Sequence, residues 1–339
     1  MYLASAGSPI VPAMKPWEEL TDTGKIRRLR PLASAALTEF PIVPQRLRSI
    51  GGFSNAIFRV DAADRSYVLR IDLEGWHSDE DAAVELAWLE ALAADTDIDV
   101  CRFVPARDGR RYVHSVAPGV PGSRRCVLFE WIPGRPLAER ISPDGYRRLG
   151  RLAAALHRDG AGRRPAHWPL TWDRVFYWPE DIDPVVIHTP QVARFLSGGR
   201  AEILEEAITI VGRAFARLDW DAAQIIHGDL HPWNVHSYRD RLIALDFEDV
   251  TWGHRVQDVA ITLFYERDNE RYPELRAAFE EGYREVAPWP VSYDGELEHF
   301  MAARTIMFVN FVANLRSDPS EYYEVAFPRL AGFVERYGG

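Results

Sequence analysis

Apolar positions change period along this chain. Over residues 47–72, short apolar runs alternate with polar turns, which predicts strands at 47–50, 57–60 and 66–72. A helical period follows. Val84, Trp88, Leu89 and Leu92 form one stripe, and Ser78 stands where a cap is needed, so a helix is expected over 79–94. Two more strands are expected at 111–116 and 126–131, across the Pro/Gly stretch 117–123. Beyond residue 134 helical periods dominate. Ser142-Pro143 opens one helix by cap and first-turn proline; Leu149, Leu152, Ala153 and Leu156 give its buried face, and Gly160 is expected to end it. Further helical segments are expected at 191–218, broken near Gly198-Gly199, and at 255–265, 273–286, 294–316 and 319–336. Upstream, 17–40 reads as mainly helical, interrupted near Pro31 and stopped by Pro41 and Pro44. Residues 1–16 read as a loose arm, 95–110 as a connector, and 161–189, rich in Trp, Pro and Asp, as an ordered insertion.

A β-rich part thus precedes a helix-rich part, and the 339 residues are enough for two lobes with separate cores. The change falls at Phe129 to Gly134, so the expected divisions are 1–129, a linker at 130–134, and 135–339. The fold class expected is α+β.

Composition is that of an ordinary globular protein, 47% hydrophobic and 27% charged. A net charge of -10 argues against a general nucleic-acid surface and favours neutral or cationic substrates. The two cysteines, Cys101 and Cys126, make no disulfide framework, so a reducing cytoplasm is expected. The prolines near the N-terminus leave no apolar signal region, and no run approaches the ~20 apolar residues of a membrane span.

The most chemically specific stretch is Ile225 to Asn234, IIHGDLHPWN, followed by Leu242 to Asp249, LIALDFED. Ile225-Ile226 and 242–245 read as short buried strands, and 238–241 as a polar turn. Folding about 239–240 puts Asn234 opposite residue 245 or 246. An amide oxygen and the Asp246 carboxylate then face each other, with Asp229 five residues before Asn234. Hard oxygen donors of this kind suit Mg2+, which takes one or two protein ligands plus phosphate oxygens. Asp229 is left as a base or orienting group. This is a layout for moving a phosphoryl group to a hydroxyl. A second reading takes His227-x-Asp229-x-His231 as a zinc or di-metal hydrolase centre. Such centres need more ligands, and His236 and His254 show no matching spacing.

His227-x-Asp229-x-x-x-x-Asn234 with Asp246-Phe247 resembles the catalytic and metal-binding loops of the protein-kinase-like superfamily, and HGDLHPWN with DFED is closest to its aminoglycoside phosphotransferase family. The resemblance spans roughly 45–315. It implies a bilobal protein-kinase-like fold using ATP and Mg2+. It implies Asp229, Asn234 and Asp246 as the catalytic set, with Asn234 and Asp246 holding the metal. His227 reads as a scaffold hydrogen-bonder, and Trp233 as either an entrance residue or a packing one.

Several positions keep two readings. Gly51-Gly52 is either a plain hairpin turn or a phosphate-covering loop with Ser54 and Asn55 at its tip. Arg70 is either a solvent-facing strand residue or, as the resemblance implies, the phosphate-pairing cation where relatives usually carry lysine. Glu85 is either an exposed helix acid or, as the resemblance implies, the partner of Arg70. Glu130 and Ile132 lie in a Pro-Gly linker that the resemblance makes an adenine-binding hinge. Asp258 is either a first-turn acid or, as the resemblance implies, a brace for the catalytic loop. Glu248 and Asp249 add charge beside the metal or are solvated turn acids. For the acceptor, Tyr265, Glu266, Asp268, Trp289 and Tyr293 offer acids and aromatics suited to an amine. The family's acceptors include aminoglycosides, choline, homoserine and protein serine/threonine, so the expected activity is phosphorylation of a small-molecule hydroxyl. A protein kinase or a nucleotide-binding pseudokinase is the alternative.

Overall fold

A computed structural model describes residues 14–52, 55–73, 77–167 and 170–339. The chain forms two compact units. One is built from the chain up to Trp76 with Phe103–Trp131, the other from His77–Arg102 with Ile132–Gly339.

Among its described residues the first unit holds helix α1 (Asp22–Leu37) and an antiparallel sheet. The strands are β1 (Pro44–Gly51), β2 (Asn55–Ala62), β3 (Ser66–Asp72), β4 (Val113–Ser115) and β5 (Arg124–Glu130), in the order β1-β2-β3-β5-β4. Alternation along β2 turns Ala56, Phe58 and Val60 inward. They meet Leu29, Leu32, Ala33 and Leu37 of α1, together with Leu69, Ile71 and Leu128, in one core. Thr21 caps α1 by accepting from the Gly24 N–H at 3.2 Å. The expected break at Pro31 does not occur, and α1 runs straight through it. Pro31 faces solvent while Leu29, Leu32 and Ala33 on either side are fully buried. Burial of that stripe offsets the ~3 kcal/mol that an interior proline costs.

The second unit begins with helix α2 (Asp79–Asp95), opened by a Ser78/Asp81 capping box. The Trp88 indole N–H donates to Asp159 at 2.8 Å, and its ring meets Phe247 edge-on at 5.3 Å. These contacts group α2 with the helical unit, although it lies within residues 1–129 of the chain. Next come β6 (Arg135–Pro136), α3 (Pro143–Gly162), α4 (Pro190–Ala193) and α5 (Arg200–Phe215). The expected break near Gly198-Gly199 falls between α4 and α5. Then follow β7 (Gln224–Ile226), β8 (Val235–Tyr238), β9 (Arg241–Ala244), β10 (Thr251–Gly253) and helices α6 (Arg255–Phe264), α7 (Tyr272–Arg284), α8 (Glu296–Leu315) and α9 (Ser320–Tyr337). The short strands pair as β10-β7 and β6-β8-β9. The expected connector does more than connect. The Ala244 N–H donates to the Asp99 carbonyl at 2.9 Å, and the Cys101 N–H donates to Ala244 at 3.0 Å, strapping 99–101 along β9.

Gly160 does not end α3, which continues to Gly162. Its role is close approach: a β-carbon there would lie 2.3 Å from the Ile225 carbonyl oxygen on β7. No described helix is long and apolar enough to cross a membrane. Gly160→Ala is expected to lower stability by about 1–3 kcal/mol in urea unfolding, through overpacking. Gly332→Ala in α9, where a β-carbon meets nothing within 4 Å, is expected to raise it by roughly 0.5–1 kcal/mol. Equal shifts for the two would refute the close-packing account.

Candidate active site

The site grows from the end of β7. Gln224, Ile225 and Ile226 are buried, and the chain then turns sharply at Gly228, with φ 81°. A β-carbon on Gly228 would lie 2.0 Å from the Asp249 carbonyl oxygen, so only glycine fits. The turn's backbone is held by Asp258 in the first turn of α6. Its carboxylate accepts from the N–H of His227 at 3.2 Å and of Gly228 at 3.0 Å. Asp258 is itself gripped by His157 Nε2 at 2.9 Å, and His157 Nδ1 faces the Tyr283 hydroxyl at 2.8 Å. Thr262, one turn along α6, donates to the Leu230 carbonyl at 2.6 Å. Of the two readings of Asp258, the brace is the one the geometry shows.

His227 is fully buried and scaffolds the turn. Its Nδ1 accepts from the Asp229 N–H at 3.3 Å, so Nε2 carries the proton and donates to the Leu245 carbonyl at 2.9 Å. Burial holds its pKa below the usual histidine value. His231 Nδ1 accepts from the Trp233 N–H at 3.2 Å, which leaves Nε2–H to donate to Asp229 at 3.2 Å. Both imidazoles spend their lone pairs on backbone N–H groups, which overturns the zinc reading.

Asp229 sits inside a cage of donors. One oxygen pairs with the Arg304 guanidinium; the other accepts from His231 and, at 3.1 Å, from the Asn234 side-chain amide. Burial pushes its pKa up, but Arg304 and His231 outweigh burial and hold it below the usual carboxylate value. Arg304 lies on α8, buried, with its guanidinium 5.1 Å from the Phe308 ring and donating to the Tyr265 hydroxyl at 3.0 Å. Burial works against its charge, and the Asp229 carboxylate more than compensates. Sequence reasoning missed Arg304. Its signal was a lone charge in the apolar helical run Met301 to Val309.

The hairpin register matches the sequence count. Val235 pairs with Ala244, and the Leu245 N–H donates to the Asn234 carbonyl at 2.9 Å, so Asn234 stands opposite Leu245. Asp246 follows at once, exposed, with φ 60°. That left-handed conformation costs a non-glycine residue about 1–2 kcal/mol. It is pinned by Phe247, fully buried with His227 at 4.5 Å and Trp88 at 5.3 Å. The Asn234 amide nitrogen is spent on the carbonyl and carboxylate of Asp229, so Oδ1 is the donor it offers a cation. Burial and the carboxylates of Asp229, Glu248 and Asp246 push the Asp249 pKa well up. That crowding of negative charge is what a divalent cation would relieve. Among the described residues no group of three or more His, Cys, Asp or Glu is placed to hold a metal by itself. One amide oxygen and one carboxylate instead suit a cation that takes its remaining ligands from phosphate and water.

The residues expected on the nucleotide side are distributed between the units. In the first, Asn55 opens β2 opposite Asp72 of β3 and is buried. Arg70 on β3 is buried rather than solvent-facing, with its guanidinium over the Phe129 ring at 5.3 Å and 3.5 Å from Asp72. Glu130 ends β5, 3.4 Å from Arg65. In the second, Glu85 is buried on α2 and so is not an exposed acid, and Ile132 follows the sheet. Ser54 lies outside the described residues.

Of the five acceptor-side residues, Tyr265 alone touches the Asp229 cage, its ring 4.3 Å from His231. Trp289 packs on Tyr283 at 5.3 Å, and Tyr293 on His299 at 5.8 Å. Glu266 accepts from Asn269, and Asp268 pairs with Arg329. Trp233 is 58% exposed beside Asn234, so it is not a packing residue.

A caged carboxylate beside an Asn/Asp hairpin, on an α+β chain with a separate antiparallel unit, defines a kinase-like phosphotransferase architecture. The chain belongs to the phosphotransferase enzyme family APH, whose model matches residues 46–291. A protein of Deinococcus radiodurans is 28% identical over 298 residues, covering 84% of this chain and 83% of its own. Among solved structures, a microcompartment-associated aminopropanol kinase superposes with TM-score 0.72 at 24% identity, covering 89% of this chain and 94% of that one. The amicoumacin kinase hAmiN, in complex with AMP-PNP, Ca2+ and Ami, gives TM-score 0.73 at 15% identity, over 91% and 93%.

Asp258→Ala leaves two buried N–H groups and a buried imidazole without their acceptor. It is expected to cost about 3–5 kcal/mol, and Asp258→Asn, which keeps one oxygen, distinctly less. Denaturant unfolding of both variants measures this; a loss under about 1 kcal/mol for alanine would remove the brace as a stability element.

Proposed function

We propose that this protein transfers the γ-phosphoryl group of ATP, with Mg2+, to a hydroxyl of a small amine-bearing molecule. The observation that carries the reading is the Asp229 cage. A carboxylate kept ionised in a buried setting accepts from the Asn234 amide, and a second carboxylate, Asp246, follows across one short hairpin.

In this reading the acceptor hydroxyl hydrogen-bonds to Asp229. Its oxygen attacks the γ-phosphorus, the bond to the ADP oxygen breaks, and the hydroxyl proton leaves by way of Asp229. The transition state is loose, so most of the catalysis is alignment and charge neutralisation. Asn234 and Asp246 would hold the metal, which supplies positive charge to the phosphate oxygens. Arg304, His231 and Asn234 fix the direction of the Asp229 carboxylate, and Asp258 fixes the backbone that carries it. Asn55, Arg70, Glu130 and Ile132, with Ser54, are assigned to the nucleotide. Glu85 is assigned to orienting Arg70, and 130–134 to a hinge between the divisions 1–129 and 135–339.

The printed names of the structural relatives support the substrate class. One acts on aminopropanol, an amino alcohol, and another is bound to AMP-PNP, a divalent cation and Ami. The net charge of -10 and the carboxylates around Asp249 favour an acceptor carrying an amine.

The test is Mg2+-dependent ADP formation over a panel of amino alcohols, aminoglycosides, choline, homoserine and a generic protein. Acceptor-stimulated turnover is expected, abolished by EDTA and restored by Mg2+. Asp229→Ala is expected to lower kcat by about 10²–10⁴-fold. Label transferred to the protein would favour a protein kinase, and nucleotide binding without turnover a pseudokinase. A separate check is Arg304→Gln, expected to lower kcat by roughly tenfold or more while KM for ATP holds, since it misdirects Asp229 and lets burial raise its pKa. An unchanged kcat in that variant would remove Arg304 from the mechanism.

A further inference from the structure

A cavity of about 340 Å³ opens between α8 and α9, lined by Glu298, Met301, Ala302 and Thr305 of α8 but not by Arg304. The size falls in the range that holds small organic ligands, roughly 300–1,000 Å³. Its floor is apolar, from Met301 and Ala302 on α8 and Leu330 and Phe333 on α9. Gly332 also lines it, and a β-carbon there would meet nothing within 4 Å. A glycine inside a helix costs about 0.5–1 kcal/mol relative to alanine. Here the missing side chain keeps the groove open.

The charges at the rim do not balance. Arg329 is paired with Asp268, and Glu298 with Arg276 at 2.7 Å. Arg267 and Arg336 remain, and among the described residues neither has a carboxylate within ion-pair distance. Arg267 is half-buried, laid on the Phe264 ring at 3.5 Å and tied to the Phe264 carbonyl. Its Nε is buried without a hydrogen-bond partner among the described residues, as is the Tyr337 hydroxyl. Burial and the nearby Arg329 lower the Arg267 pKa to about 10, so an anion in the groove would relieve an existing repulsion.

We propose that this groove binds a small organic carboxylate, its apolar body on Met301, Leu330 and Phe333 and its anionic head between Arg267 and Arg336. A monoanion suits it better than a phosphate dianion, because Asp268 and Glu298 stand on the same rim. The Phe264 ring neighbours both Arg267, at 3.5 Å, and Arg304, at 6.0 Å, while none of the residues that hold Asp229 lines the groove.

The test is calorimetric titration of the full chain with 4-phenylbutyrate, and with 4-phenylbutyramide as its uncharged counterpart. Saturable binding of the acid is expected, with the amide roughly tenfold weaker or more, since an ionised acceptor forms the stronger hydrogen bonds to guanidinium. Arg267→Met and Arg336→Met are each expected to weaken the acid by a similar factor. Gly332→Trp, whose side chain enters open space, is expected to abolish binding with an unchanged circular dichroism spectrum. Asp229→Asn, which keeps an oxygen for Arg304, is expected to bind like the parent, which separates this site from the phosphotransfer site whatever the outcome there. No saturable binding, equal binding of acid and amide, binding that survives Gly332→Trp, or loss in Asp229→Asn would each overturn the proposal.

Discussion

Asp258 accepts two backbone N–H bonds and one from a buried histidine, and it does so almost without exposure to water. Its position makes the rest of the site possible. The chain leaves β7 at His227 and must reverse at Gly228, where successive N–H groups point inward with no strand to receive them. Unsatisfied, each would cost about 1–3 kcal/mol. Asp258 collects them, His157 and Tyr283 hold Asp258, and the backbone that presents Asp229 becomes rigid. The brace joins α3, α6 and α7 to one loop, so tightening any of them tightens the site.

A second constraint runs through the hairpin. Pairing of β8 with β9 sets Asn234 opposite Leu245, and 99–101 closes the far edge of β9. Asp246 emerges from this ladder in a left-handed conformation, with the buried Phe247 ring as its anchor. Backbone strain at such a position persists only where packing over-determines it. Trp88 supplies part of that packing from α2, so the helix that starts the second unit supports the residue beside its exposed acid.

Arg304 and Asp229 show how a charged pair survives burial. Neither is tolerable alone in that setting; together, with His231, Asn234 and Tyr265 taking up lone pairs and protons, they are satisfied. The pair also fixes what the carboxylate can do. With one oxygen held by guanidinium, the other faces His231 and Asn234, and the direction in which it can accept a proton is narrow.

Local features of this site could be read from the chain, because they depend on neighbours within some twenty residues. The turn at 239–240 set the register that puts Asn234 beside Leu245 and Asp246, and strand pairing moves side chains by whole residues. Stripe periodicity located α2 and α3, and the helical segments expected at 255–265, 273–286, 294–316 and 319–336 stand as α6, α7, α8 and α9, with small differences at the ends. The caps at Ser78 and Ser142 stood where the sequence placed them. Tertiary packing decided the rest. It carried α1 through Pro31, made Gly160 a contact point with β7 instead of a helix end, and buried Arg70. It set the half-buried Trp289 and Tyr293 against Tyr283 and His299 while leaving Trp233 exposed, a choice that aromatic spacing cannot make. It also brought Arg304 across 75 residues to Asp229. Spacing within an element follows from backbone geometry, which the sequence carries locally. The partner of a buried charge follows from which helices pack together, and that is a property of the folded chain.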